Sequence, residues 1–461
     1  MKHAILIDFG STFTKTCIVS MEDYKILFTD KYFSTVKTDA SVCLNQCLKA
    51  CEKILGADDF NKAVKLASSS AAGGLRMSVI GLTPSLSIAA GRNVTFGAGA
   101  KIMKTFSGLI SHEQVSEIIN ENTEILLFCG GYENGNTSVL LKNAQVLAKS
   151  NLQIPIIFAG NSFIAKEVRE ILLYGNRECF IVNNIMPNVN ELDTIPTETI
   201  IRDVFMQRIV NMKGLESVKK SLDGVLMPTP AAVLSAGELL AKGTTTKKGV
   251  GDLIIVDIGG ATTDIHSFAY QSSYEGAKII GSSEAYAKRT VEGDLGMRES
   301  SNSLSKEIGY ETFASELNLD IDTIKSMITN RVTNNDFLAN SDKELMLDFC
   351  LTKGAVKVAT RRHAGYTENV HSNVCKLIQK GKNLSKVNCI IGTGGSIVSG
   401  QNQLGILNAA LRNPSQENNI LLPAQSKFFI DSQYILYAAG LLREINEQAA
   451  FEIMISSIRH L

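Results

Sequence analysis

The chain has 461 residues, 44% of them hydrophobic and 20% charged, which is the composition of an ordinary globular protein and longer than one core usually allows. About two to four domains are therefore expected. Lysine plus arginine number 46 and aspartate plus glutamate number 46, giving zero formal charge. That balance argues against nucleic acid or an anionic membrane as the main partner, since either calls for a basic excess. The opening MKHAILIDFG is too short and too soon interrupted for a signal peptide, and no apolar run reaches membrane-spanning length. A cytoplasmic protein is expected.

In chain order, AILIDFG is an apolar strand ending in Asp8, TKTCIVS is a second strand, and YKILFTDKYF continues as a third after a Glu22-Asp23 turn. A helix over roughly Ala40 to Leu55 ends at Gly56. Its Cys43, Cys47 and Cys51 recur every four residues and so share one face. Zinc and iron–sulfur sites use closer pairs or a fourth ligand, so this row reads as a small-residue packing face. The nine cysteines, odd in number and scattered, read as reduced thiols. AVKLASSSA supplies a fourth strand.

From about Gly73 the texture turns to glycine and small residues. Ser111 with Gln114 then makes a capping box for the helix HEQVSEIINEN. Strands at Glu124–Gly131, Gln153–Gly160 and Glu178–Asn184 alternate with helices near Thr137–Ser150 and Ser162–Tyr174. Such alternation implies a parallel sheet, here in a domain inserted into the first one. A linker with two prolines closes it, and a helix of about Thr199 to Met212 returns to the framework. The expected division is 1–72 for the first half, 73–198 for the insert, 199–250 for the return and first connecting helix, and 251–461 for the second half. In that last part a mostly helical stretch runs to about Gly381, and QYILYAAGLLREINEQ forms a final helix.

The run LIIVDIGGATTDI repeats the opening pattern roughly 250 residues on. Asp8, Gly10, Ser11, Thr12 and Thr14 are matched in order by Asp257, Gly259, Gly260, Thr262 and Thr263. A turn of this kind presents backbone N–H groups and hydroxyls to phosphate oxygens, and an aspartate beside it suits hydrated Mg²⁺. Lys15 adds a charge within reach of a phosphate. Two such turns facing each other would clamp a nucleotide tail and its metal, with Asp8 and Asp257 at the metal. A third element, GTGGSIV, places Gly392, Thr393, Gly394, Gly395 and Ser396 after a strand, where glycines let a base or ribose lie against the backbone.

These motifs resemble those of the actin, Hsp70 and sugar-kinase ATPases. DFGSTFTK is similar to the first phosphate motif, DIGGATTD to the second and GTGGSIV to the adenosine motif. PTPAAVLSAGELL and YAAGLL are similar to the two connecting helices, whose small residues Ala231, Ala232, Ala438 and Gly440 suit a close crossing. VEGDLGMR, with Gly293 and Asp294, resembles the turn that opens the second half's upper lobe. The resemblance covers roughly 1–72 and 200–461. It implies an α/β actin-like ATPase fold, duplicated ribonuclease H-like halves around a nucleotide cleft, with ATP or ADP and Mg²⁺ as cofactors. Met227 stands where chaperone-like members often carry a water-positioning glutamate. Hydrolysis is therefore slow, or Asp257 or Asp264 takes that role.

At a finer level, VDIGGATTDIHS, TVEGDLGMR and the insert resemble the MutL/GlmL family of accessory proteins encoded with adenosylcobalamin-dependent glutamate mutase (methylaspartate mutase). The insert also parallels the swivelling domain of diol dehydratase reactivases. The resemblance implies a chaperone-like, weak ATPase that reactivates the mutase by prying out damaged cobalamin. The alternatives are a small-molecule kinase, for which Asp223 is the nearest base and reads as a loop residue, an ATP-dependent activator of a radical dehydratase, and a filament-forming actin relative.

Overall fold

The computed structural model describes residues 2–461 except 11, 37, 71–74, 134, 136, 189–190, 210–220, 224–225, 282–283, 335–336 and 371–375. For residues 205–209 and 226 it describes the backbone alone. Contacts divide the chain into two compact units. The first comprises Met1–Ala72, Met212–Ile279 and Arg289–Leu461, and the second Gly73–Asn211 and Ile280–Lys288.

The first unit begins with β1 (His3–Phe9), β2 (Phe13–Ser20), β3 (Ile26–Phe33) and β4 (Val64–Ser69). Ala4 to Ile7 have no exposed surface, as a strand covered on both faces requires. The second unit holds β5 (Arg76–Gly81), β6 (Lys101–Ser107), β7 (Ile125–Gly130), β8 (Ile156–Gly160) and β9 (Cys179–Ile181). Back in the first unit come β10 (Leu226–Pro228), β11 (Leu253–Ile258) and β12 (Thr263–Phe268). They are followed by β13 (Lys278–Ile280), β14 (Ala287–Glu292), β15 (Tyr366–Asn369), β16 (Leu377–Lys380), β17 (Cys389–Thr393), β18 (Lys427–Asp431) and β19 (Ile458–His460).

One sheet runs β10-β4-β1-β2-β3 and another β14-β12-β11-β17-β18-β19. In each, a central apolar strand forms an antiparallel hairpin on one side (β1 with β2, β11 with β12). On its other side it takes a parallel neighbour, β4 or β17, which is followed by another parallel strand, β10 or β18. The fold is thus α/β, with the duplicated ribonuclease H-like halves of the actin-like ATPase fold. Helix Ala40–Leu55, capped by Asp39 and ended by Gly56, packs its cysteine row on β2. The Thr14 hydroxyl donates to Cys43 Sγ at 3.2 Å, and Thr16 Oγ1 lies 3.4 Å from Cys51 Sγ. The row is a packing face.

Three features depart from the sequence pattern. The stretch expected to stay helical to Gly381 gives four helices, the last being Asp342–His363, and then turns to β15 and β16. The final helix is two, Leu436–Arg443 and Glu447–Ser457, because the Asn446 side chain accepts from Ala449 N and starts a new helix. The helix expected to rejoin the framework spans Ile195–Ile209 and falls in the second unit. Its Ile201 and Val204 are buried, and it lies so close to helix Ala89–Gly97 that a Cβ on Gly97 would stand 2.6 Å from Glu198 Oε1.

The second unit's sheet is ordered β6-β5-β7-β8-β9 and is parallel throughout. Its glycine-rich entry, to which the sequence assigned no elements, supplies β5, helix Ala89–Gly97 and β6. A Cβ on Gly91 would sit 2.6 Å from Val79 Cγ1, so bare backbone is what lets this helix lie on the sheet. The Ser111–Gln114 capping box forms as expected. No helix among the described residues is long and apolar enough to cross a membrane.

The two halves of the first unit are joined by helices Thr229–Lys242 and Leu436–Arg443, which cross backbone to backbone. A Cβ on Gly440 would lie 2.0 Å from Ala232 O. Arg443 Nη1 pins the crossing, donating to Ser235 O at 2.8 Å and pairing with Glu238 at 3.2 Å. Gly440→Val should therefore lower unfolding stability by about 1–3 kcal/mol or more, as overpacking does. Gly395→Ala, with nothing within 4 Å of its Cβ, should leave it nearly unchanged, and urea denaturation of the two variants checks this.

Candidate functional site

Both hairpins turn at the carboxyl ends of central strands. In the first, Gly10 N donates to Phe13 O at 3.1 Å, and a Cβ on Gly10 would stand 2.5 Å from that oxygen. Only glycine closes this turn. Asp8 lies opposite Lys15 in the β1–β2 register and is 1% exposed. Its Oδ2 accepts from Lys15 Nζ at 2.9 Å, and its Oδ1 from Ser68 Oγ at 3.1 Å and from the Thr229 hydroxyl. The Tyr434 ring centroid lies 3.9 Å from Lys15 Nζ. Burial disfavours the Lys15 ammonium, but Tyr434 and Asp8 outweigh it and hold its pKa above the usual lysine range. Ser11 lies outside the described residues.

The second turn closes with Gly259 N donating to Thr262 O at 2.9 Å. The loop containing EGDLG is sewn onto it: Met297 N donates to Gly259 O at 3.2 Å and Arg298 N to Gly260 O at 2.7 Å. Asp257 faces Asp264 in the β11–β12 register. Asp264 is not free. Its Oδ1 accepts from Arg289 Nε at 2.7 Å, its Oδ2 accepts from the Thr262 hydroxyl at 3.0 Å, and Arg289 is buried. No such partner holds the half-buried Asp257 carboxylate among the described residues. Burial first, then the charge of Asp264, with Asp8 and Asp431 adding to it, pushes Asp257 up to about 7, while Lys15 pulls the other way.

The two turns meet. The Cβ position of Gly260 is 3.4 Å from Thr12 Oγ1. Gly394, at φ +91°, presses against the same place, since its Cβ would lie 2.3 Å from Ile258 O and 2.9 Å from Asp257 Oδ1. Next to it Gly395 faces open space, and Ser396 Oγ is buried with no hydrogen-bond partner. An open, bare backbone beside an orphaned hydroxyl fits a nucleoside. A carboxylate pushed up by burial and then by surrounding anions fits a cation, which would relieve that charge. No group of three His, Cys, Asp or Glu among the described residues is arranged to hold a metal alone, so such a cation would keep water and phosphate in its shell.

The structure thus brings together Asp8, Gly10, Thr12, Lys15, Asp257, Gly259, Gly260, Thr262, Gly394, Gly395 and Ser396. Other expected residues serve the scaffold. Thr263 donates its hydroxyl to Leu295 O at 2.7 Å, Thr393 donates to Asp431 at 3.2 Å, and Gly392 lies beneath Ile397. Gly293 O accepts from Ser300, and both Asp294 oxygens lie 3.0 Å from Arg362 Nη1, which fastens this turn to the end of helix Asp342–His363. Asp223 is a loop residue whose carboxylate accepts from Lys65 N. The sequence reading missed Ser68, Thr229, Arg289, Asp431 and Tyr434. Of these only Thr229 left a trace, as a lone hydroxyl between two prolines at the start of an apolar helix.

A family model described as MutL protein matches residues 4–458. Protein MutL of Clostridium tetanomorphum is 38% identical over 456 residues, covering 98% of each chain. The chain belongs to the MutL family. Among solved structures, ethanolamine utilization protein EutJ from Carboxydothermus hydrogenoformans is 9% identical, covers 97% of this chain and 89% of its own, and has a TM-score of 0.29. Xylulose kinase from Bifidobacterium adolescentis is also 9% identical, with 98% and 93% covered and a TM-score of 0.33. At such scores neither likeness bears on what this MutL family member does.

A raised carboxyl pKa has a definite sign in stability. Between its unfolded value near 3.8 and its native value of about 7, the native state keeps a proton that the unfolded chain has lost. The stabilisation is full below about pH 4 and is lost as pH rises through about 7. Asp257→Asn should remove this dependence: without ligand the variant should be the more stable at about pH 8, and its advantage should vanish towards about pH 4. Urea midpoints across that range test it.

Proposed function

We propose that this chain is an ATP-binding, slowly hydrolysing, chaperone-like factor that reactivates adenosylcobalamin-dependent glutamate mutase by releasing damaged cobalamin. The observation that carries the nucleotide part is the meeting of two phosphate-type turns over Asp8, Lys15 and Asp257, with the open glycine backbone and orphaned Ser396 beside them. Membership in the MutL family supports the client, since the family resembled in sequence is the one encoded with that mutase. When bound, the nucleotide supplies a cleavable phosphoanhydride and Mg²⁺ offsets its charge.

The residues divide the work as follows. Asp257 would hold the hydrated cation, and Asp8, already engaged by Lys15, Ser68 and Thr229, would add negative charge through the cation's water shell. The turns that Gly10 and Gly259 close would offer the Thr12 hydroxyl and the backbone at Gly260 to the phosphates, and Lys15 would supply positive charge. Gly394, Gly395 and Ser396 receive the nucleoside. Asp264 is fixed by Arg289, so Asp257 is the better placed of the two carboxylates to orient water. Slow turnover is supported by Met227, buried on β10 opposite Ser68, where its apolar side chain offers water no acceptor. A slow site suits a switch, in which nucleotide-driven domain movement rather than turnover does the work, and the inserted unit is the part proposed to dock the mutase.

Adding the protein, ATP, Mg²⁺ and fresh adenosylcobalamin to cyanocobalamin-inactivated mutase should restore activity, and no rescue over mutase alone would sink the proposal. Met227→Glu should raise phosphate release from ATP by about tenfold or more, the scale expected of a positioned general base. An unchanged rate would remove Met227 as the cause of slow hydrolysis.

A further inference from the structure

Tyr434 belongs to none of the motifs, yet its ring stands against Lys15 of the site. It follows the turn after β18 and precedes helix Leu436–Arg443, the second connecting helix. Its φ is +54°, a left-handed backbone conformation that bulky side chains rarely adopt and that persists only where the surroundings over-determine it. The surroundings here are explicit. On one side Tyr434 N donates to Asp431 O at 3.0 Å, while the Asp431 carboxylate accepts from Leu436 N at 3.0 Å, from Thr393 and from Ser457 at 2.7 Å. On the other side the ring lies against Lys15 Nζ, with Tyr437 farther off at 5.7 Å. Lys15 is thereby held between an aromatic face and Asp8, and its side chain is only 16% exposed.

We propose that Tyr434 is a latch that holds Lys15 back from the phosphate site and ties the occupancy of that site to the hinge. This rests on the nucleotide reading given above. An anionic phosphate competes with the Tyr434 ring for the one ammonium on the first hairpin. Once Lys15 turns to the phosphate, the ring has lost its cation, and the left-handed backbone is left with the Asp431 hydrogen bond as its support. The residue that then relaxes lies two positions before the connecting helix, at the end bolted through Asp431 to Thr393 of the adenosine motif. Tyr434 is therefore a positioning residue, acting through Lys15.

The chain contains no tryptophan, so Tyr434→Trp keeps an aromatic face over Lys15 and installs a single fluorophore at the latch. Emission of that variant should shift on adding ATP with Mg²⁺ and stay constant with adenosine, which has no phosphate. Tyr434→Ala and Tyr434→Gly should bind ATP and ADP about three- to tenfold more tightly than the unaltered chain, the scale of one cation–π contact relinquished. Their affinity for adenosine should not change, which a general loosening of the fold would not reproduce. Glycine, which tolerates the left-handed backbone, guards against a misfolded alanine variant. If the unaltered chain binds ATP but the alanine and glycine variants bind it equally or more weakly, or the emission of the Tyr434→Trp variant ignores ATP, the latch is wrong and the nucleotide reading survives. If the unaltered chain binds no ATP at all, both fall.

Discussion

One buried carboxylate organises the first half of the molecule. Asp8 lies one residue before the end of β1, and its three donors come from β2, from β4 and from the first residue of the connecting helix Thr229–Lys242. A charge removed from water is tolerated only when it is paired and hydrogen-bonded, and stripping one partner leaves the rest exposed to the desolvation cost. The hairpin, the neighbouring strand and the hinge are therefore set by one group and cannot shift independently. Asp431 does the same in the second half, gathering β17, the second connecting helix and Ser457.

The duplication of topology is not a duplication of electrostatics. Asp8 and Asp257 occupy matching places in matching hairpins, yet Asp8 is satisfied and Asp257 is not. Lys15 has no equivalent on β12, where the residue facing Asp257 is Asp264, itself committed to Arg289. Two carboxylates in register repel, and Asp257 carries that cost. The first half offers a finished anchor and the second an unsatisfied one. An arriving cation would meet one jaw already fixed and one that gains from its arrival.

Much of this was legible in the sequence because hairpins, glycine turns and strand periodicity are local. The recurrence of Asp8, Gly10 and Thr12, in the same order, as Asp257, Gly259 and Thr262 could be read from the sequence alone, and so could the cysteine row as a packing face. What escaped was non-local or orientational. The ion pairs of Asp294 with Arg362 and of Asp264 with Arg289 join residues far apart in sequence. Thr263 shows the other limit: its position in the motif is right, but alternation along β12 turns its hydroxyl inward to Leu295. Entry into the inserted unit was hidden for a third reason, since glycine and alanine there serve close helix-to-sheet packing rather than loops. Tyr434 left no sequence signal because its meaning lies in one backbone angle and one distance.

The cysteine row has a practical corollary. Each described cysteine is free and buried, and burial raises the thiol pKa of Cys17, Cys47, Cys51, Cys129, Cys179, Cys350 and Cys389, which keeps them in the unreactive protonated form. Maleimide dyes, which attack exposed thiolates, would pass these sites by. With Cys375, which lies outside the described residues, replaced by serine, one cysteine introduced on the surface of each unit would give a doubly labelled protein without stripping the native thiols from the core. Energy transfer between the two dyes would then report whether adding ATP changes the separation of the units.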